Sequence, residues 1–478
     1  MRLLLYILLL TTVVAWGKPP DLKHLFPAGG QRGTEMEAVV GGTFDPWPVD
    51  FWCDHPGIRL AANKTNQMVS ISVSEDVPSG CYLIAARNAE GFSAPRWFEV
   101  SEFREVAEAE PNSTFANAQR LTNLPMVLNG TLEKNDDVDH FRIELKEGDV
   151  LNARISAYGI DSPVDAMLHL FDEEQRRIAF NHDAWHLDPW LLYTARHDQV
   201  VILQTSGFAH PPKADVRFAG SKETVYRLSL ELGSAVRVRP FPELLGTEGW
   251  PRSVRGGLAE KSVRYPFEAK KGEMFTFTVH AAKLGYAVDP VLWVEEVGSS
   301  KELTRGDDMR DKRLDPELSW TAKADGSYAL GIADLYQRWG PERKYQLDMV
   351  KGSSKFDASC EAFSVTLQAG GTTTLQVNAR RLFGEKAVVA LVTEGLPSGV
   401  WASAPMFPDK TGDITLTLNA DEDILPIQQP FKLFAIALEE QSPRRVPVVF
   451  RLKGLATPHL DLEKNKRQSV WLTVTPKG

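Results

Sequence analysis

Only three cysteines occur in the 478 residues, at positions 53, 81 and 360, and none of them forms a CxxC pair. A disulfide-dense scaffold is therefore excluded. HExxH, GxSxG and a Gly-rich phosphate loop are also missing, so the usual signatures of a zinc peptidase, a nucleophile-elbow hydrolase and a nucleotide binder are absent. Basic residues gather only in short pairs such as Arg380-Arg381 and Arg444-Arg445, and the net charge is −9 with a pI near 5.7. That balance argues against nucleic acid as a partner. Long amphipathic helical patterns are scarce. After the first residues no apolar run approaches the roughly 20 residues a membrane-spanning helix needs.

What is present is a duplicated β-pattern punctuated by aspartate, one copy from about Glu108 to Leu232 and the other from about Leu244 to Val350. In the first copy Gly148 precedes the alternating Leu151, Ala153 and Ile155, followed by Val164-Asp165 and Met167 to Asp172. In the second, Gly272 precedes Met274 to Val279, followed by Val288-Asp289-Pro290 and Val291 to Val294. Gly148 and Gly272 stand 124 positions apart, as do Asp165 and Asp289. Asp183 with Asp188-Pro189 answers Asp308 with Asp315-Pro316, and Tyr226 to Leu230 answers Tyr345 to Met349. Shared strand spacing with few shared side chains indicates a duplicated β-sandwich module.

The chain opens with Arg2, an apolar run from Leu3 to about Val14, and Ala15-Trp16-Gly17. This reads as a signal peptide over 1–17, with Lys18 as the mature N-terminus. No Cys follows the run, which argues against a lipid anchor. Export permits a disulfide, and two cysteines within one small domain favour a Cys53–Cys81 bridge, the alternative being two buried thiols. Cys360 is expected to be a free, buried thiol, because no His lies between His280 and His459 to act as its base.

Glu110-Pro111-Asn112-Ser113-Thr114, then Gly130, then Asp137-Val138-Asp139-His140-Phe141, then Asn181-His182-Asp183 resembles the bacterial pre-peptidase C-terminal domain. The resemblance covers most of the first copy. It implies a jelly-roll-like β-sandwich found beside secreted peptidases and in large surface proteins. The second copy has Ser262-Val263-Arg264-Tyr265-Pro266-Phe267 in place of the acidic turn and has no Glu-Pro-Asn segment. Flanking segments with strand-turn-strand rhythm resemble immunoglobulin-like modules. The expected fold class is all-β, in tandem sandwiches: 18–102 immunoglobulin-like, 103–233 and 234–352 the two pre-peptidase-like copies, and 353–478 immunoglobulin-like. The charged stretch 103–111, ended by Pro, reads as a linker.

Calcium is the best chemical candidate. Glu108, Glu110 and Asn112 offer alternating oxygens on an extended segment, and Asp137 and Asp139 flank one Val on a second. In collagen-binding members of the family a calcium site is built from this linker and this turn, which implies the same roles for these five residues. Ser113 stands where metal-binding members tend to carry a carboxylate or amide. The alternative makes Asn112 and Ser113 turn formers and the two aspartates hairpin residues. No metal is expected in the second copy. His182 and His186 are four apart, a metal-ligand spacing on a helix, but their Asp-Pro surroundings place them in a loop.

Trp185 and Trp190 in one copy, and Tyr336 and Trp339 in the other, are candidate aromatics for a sugar ring or a peptide. The leading functional reading is a non-catalytic secreted or periplasmic protein that binds a polysaccharide or protein ligand in adhesion or assembly. The alternative is a secreted hydrolase such as a peptidase, or its accessory subunit.

Overall fold

The computed structural model describes residues 17–477 except 185, 215–216, 234–249, 282–285, 287, 300, 308–314, 341–342, 353–354, 383–384, 439–443, 453–454 and 457–465. Residues 1–16, most of the stretch read from sequence as a signal peptide, and Trp185, Asp308 and Asp311 lie outside the described residues.

The chain is all-β. Four pairs of sheets follow one another, formed by strands within 21–101, 104–232, 252–352 and 355–475. Each pair closes over its own apolar cluster. Period-two patterns build them: Met68–Val73 and Lys355–Cys360 each alternate half-buried and buried residues. One side of each such strand faces the core and the other faces outward. Among the described residues no helix is long and apolar enough to cross a membrane.

The second and third modules share one topology. In the second, the sheet order is Met126–Thr131, Val225–Leu232, Val150–Ser156, Trp190–Thr194, packed on Asp139–Leu145, Gln199–Ala209, Val164–Phe171, Arg177–Asn181. In the third it is Arg252–Gly257, Lys344–Gly352, Met274–His280, Glu317–Thr321, packed on Ser262–Ala269, Gly326–Asp334, Pro290–Glu296, Glu302–Gly306. The second module adds two short edge strands. Arg104–Ala107 runs parallel to Met126–Thr131, and Gln119–Leu121 runs parallel to Asp139–Leu145. The stretch read from sequence as a linker is thus partly a strand.

The repeated Asp-Pro has a structural role. Asp188, fully buried, accepts the backbone N–H groups of Ala157, Tyr158 and Gly159 at 2.8–2.9 Å. Asp315 accepts that of Ala281 at 2.9 Å. Each carboxylate ties down the turn after an inner strand, where backbone donors would otherwise be left without partners.

The expected Cys53–Cys81 bridge is not present in the structure: none of the three cysteines is in a disulfide. Cys53 lies opposite Ile84 in the antiparallel pairing of Asp50–Cys53 with Gly80–Asn88. Residues paired in this way point to the same face, and Cys81 is three positions from Ile84, so it points to the other. Cys53 packs with Ile84 on the module's own core, whereas Cys81 joins a cluster on the outer face with Leu83 and Trp97. Burial pushes the Cys53 and Cys360 thiols up to about 12. Thiol counting on denatured, unreduced protein is expected to give three thiols per chain. A count of one would mean that a bridge forms.

That outer cluster joins modules distant in sequence. Ala28, Cys81, Leu83 and Trp97 of the first module pack with Ile160 and Val225 of the second and Leu452 of the fourth. The fully buried Trp97 donates from Nε1 to the Ala456 carbonyl at 2.9 Å. Asp161 accepts the Ala456 N–H at 2.7 Å. Trp52 meets Trp471 edge-on and Phe92 lies tilted against it, with ring centroids 6.1 and 4.9 Å away.

Candidate functional site

The extra edge strand brings the acidic residues together. Just beyond the strand's end at Ala107, the Glu108 N–H donates to the Asn129 carbonyl at 3.0 Å. This directs the Glu108 carboxylate under the second module, where Oε1 accepts the Thr131 N–H at 2.6 Å and Oε2 accepts the Tyr226 hydroxyl at 3.1 Å. The same hydroxyl lies 2.6 Å from Oδ2 of Asp139, the first residue of its strand. Carboxylate oxygens of Glu108, Glu110 and Asp139 all lie within 4.8 Å of one another.

One further residue, Asn112, completes the site. Glu110 accepts the Asn112 N–H at 2.9 Å. The Asn112 carbonyl is held by the His140 N–H at 3.0 Å and lies 3.2 Å from its Nδ1. So anchored, Asn112 is fully buried, yet neither Oδ1 nor Nδ2 of its side chain has a hydrogen-bond partner. Asp139 Oδ1 is likewise buried without one. Buried polar atoms without partners are costly and rare in folded proteins. Asp137 sits apart from the cluster: Oδ2 accepts the Glu133 N–H at 2.7 Å and Oδ1 lies 3.5 Å from the Ser113 hydroxyl. It braces the turn before the Asp139 strand.

Electrostatically the carboxylates of the cluster repel one another. Burial, and then the charge of Asp139, hold the Glu108 carboxyl well above the usual carboxylate range. Burial raises Asp139 too, with Asp137 and Glu110 adding repulsion against the Tyr226 hydrogen bond. The main contributions to both shifts are burial, neighbouring carboxylates and hydrogen bonds. Like charges gathered in a low-dielectric site take up protons or a cation.

The third module provides an internal comparison. Gly130 lies opposite Tyr226, and Gly256 lies opposite Tyr345, at matching places in the two modules. A Cβ on either glycine would fall inside its tyrosine ring, 2.2 Å from Tyr226 Cζ and 2.6 Å from Tyr345 Cζ. Each glycine therefore lets the tyrosine cross the sheet. Where Tyr226 meets two carboxylates, the Tyr345 hydroxyl meets that of Tyr265 at 2.7 Å. The same fold forms around a neutral phenol pair, so it does not require the acids. In the sequence Tyr226 marked the repeat and Gly130 belonged to the family resemblance, but neither was read as part of the site. The signal that could have found them is the repeat itself, which aligns Tyr226 with Tyr345.

The aromatic candidates do not form one platform. Trp190 begins a strand in the second module, half-buried, with Nε1 donating to Asn152 Oδ1 at 2.6 Å. Tyr336 and Trp339 follow the strand Gly326–Asp334 of the third module and are 66% and 50% exposed. Arg338 lies over the Tyr336 ring and Lys261 over Trp339, at 4.9 and 5.5 Å.

Fold and site define a tandem β-sandwich protein with, among the described residues, one oxygen-only acidic cluster that runs from the exposed Glu110 through the half-buried Glu108 to the buried Asp139. No family model matches the chain, and no curated protein matches it. Among solved structures it is similar to the SGBP-B protein of the Bacteroides ovatus mixed-linkage glucan utilization locus, at 9% identity and a TM-score of 0.18, over 67% of this chain and 75% of that one. Another is Clostridium perfringens ZmpB, its M60 catalytic domain with two CBM51 domains, at 9% identity and 0.18 over 70% of this chain and 46% of that one. A third is the surface layer protein SbsC, domains 1–6, at 11% identity and 0.15 over 90% and 54%. Likenesses this distant decide nothing about what the chain binds.

Proposed function

We propose that this is an exported, non-catalytic binding protein whose second module, of the pre-peptidase C-terminal type, takes up calcium through Glu108, Glu110, Asn112 and Asp139. The observation that carries the reading is the buried, partnerless Asn112 side chain and Asp139 Oδ1 beside a three-carboxylate cluster. A hard cation that accepts six to eight oxygens, water and carbonyls among them, suits a donor set with no nitrogen or sulfur. Bound there, it would cancel the repulsion among the carboxylates and tie the Glu108–Asn112 segment to the Asp139 strand. The exposed Tyr336 and Trp339, each beside a cation, are the surface we assign to the polysaccharide or protein ligand.

Calcium titration of the chelator-stripped chain is expected to show one site. Melting temperature should rise in step, because a ligand at a hundred times its dissociation constant stabilises by about 2.7 kcal/mol. Asp139→Asn should abolish the response while the chain stays folded, since a neutral acceptor relieves the same repulsion. Identical melting with calcium and with chelator would refute the site.

A further inference from the structure

The sequence offered His182 and His186 as a pair, but the fold gives His182 a different partner. On the outer face of the sheet that carries Asp139, His169 of Val164–Phe171 lies next to the strand Arg177–Asn181, opposite Phe180. His182 follows that strand directly. The Nε2 atoms of His169 and His182 approach to 3.1 Å, with the rings tilted by 33°. Both residues are half-buried, so one side of the pair is open to solvent.

Two imidazoles on one divalent ion, with metal–nitrogen bonds of 2.0–2.1 Å, place their nitrogens about 2.9 Å apart at right angles and about 3.4 Å apart in a tetrahedron. The observed separation falls inside that range. Gln204 lies opposite His169 in register and hydrogen-bonds its ring, the kind of outer partner that fixes a ligating imidazole. Gln204 Nε2 also lies 2.8 Å from His140 Nε2. Phe180 packs beside both rings, 6.2 Å from His169 and 5.4 Å from His182, and Arg177 covers its face. Burial lowers the His169 pKa, which keeps a lone pair available at neutral pH.

We propose that His169 and His182 form a second metal site, selective for a borderline divalent ion such as zinc or copper, with the remaining positions filled by water or an external ligand. No third His, Cys, Asp or Glu among the described residues joins the pair, so the site is open. It is chemically separate from the acidic cluster, because it offers nitrogen where calcium requires oxygen. Bound metal would staple the edge strand Arg177–Asn181 to its neighbour and leave coordination sites facing outward.

The test is zinc titration of the full chain, stripped with chelator and then held in excess calcium to saturate the oxygen site. One zinc per chain is expected, with affinity reduced about tenfold or more in His169→Gln and in His182→Gln, in line with what metal sites lose when their ligand environment is altered. His197→Gln, on another loop, should bind like the parent. Copper(II) paramagnetic resonance should show coupling to two nitrogens in the parent and fewer in either variant. Melting without metal serves as the check that the variants are folded. Equal zinc affinity in parent and variants would overturn the proposal, as would its loss on adding calcium.

Discussion

Replacing Arg227 by Met is expected to destabilise the chain by about 3–5 kcal/mol, the cost of leaving buried carboxylates without their cation. Arg227 is 1% exposed. Its guanidinium grips Glu105 through two bonds of 2.9 and 3.1 Å, Glu99 of the first module at 3.1 Å, and Asn129 Oδ1 at 2.6 Å. The first module fits closely around it: a Cβ on Gly29 would lie 2.4 Å from the Arg227 Cζ. At the matching place in the third module stands Gln346, bonded to Ser253 and Asp348 within its own module. The ion triad therefore belongs to the junction of the first two modules and is not a requirement of the sandwich. Calorimetry should show the loss, and small-angle scattering should show a less defined arrangement of the two modules. Arg227→Met combined with Glu99→Met and Glu105→Leu is expected to recover much of the stability, because an apolar triad leaves no charge buried. A single variant that melts like the parent would show the junction is held by the Trp97 cluster alone.

The second large effect concerns pH. Glu108 and Asp139 have folded pKa values raised above their unfolded ones. The folded chain thus binds more protons than the unfolded chain once pH exceeds the ordinary carboxylate range, about 4. Without calcium, stability is expected to fall as pH rises from about 5 through neutrality, because the unfolded carboxyls ionise freely while the buried ones resist. Calcium favours the ionised cluster and should flatten or reverse this slope. Asp139→Asn should reduce it. Melting curves from pH 5 to 8 with calcium and with chelator measure both. A calcium-free chain whose stability rises steadily over that interval would contradict the raised pKa values of Glu108 and Asp139.

The site was partly legible in the sequence. Glu108, Glu110 and Asn112 were found because alternate residues of an extended segment share a face, and the fold keeps them together with Asp139. Asp137 was read by the same rule. However, it precedes the strand, next to Asp136 in the left-handed region at φ 63°, so alternation does not hold there. Tyr226 is distant in sequence from the acids it joins, and a tyrosine in an apolar strand looks like any other core residue.

By itself the sequence determined the local structure: alternation made every module β, and the 124-residue spacing marked two copies of one strand plan. Both are short-range signals, written in the period of side chains along a single strand. Which strand lies beside which, and in what register, was decided only by tertiary packing. Cys53 and Cys81 share a sheet yet face opposite ways because their offset across two strands is odd. His169 met His182 instead of leaving it to His186 because two strands lie side by side. Arg227 became a buried cation because the first module folded back onto the second. Each of these depends on burial of apolar faces summed over a whole module, a quantity that no single strand carries.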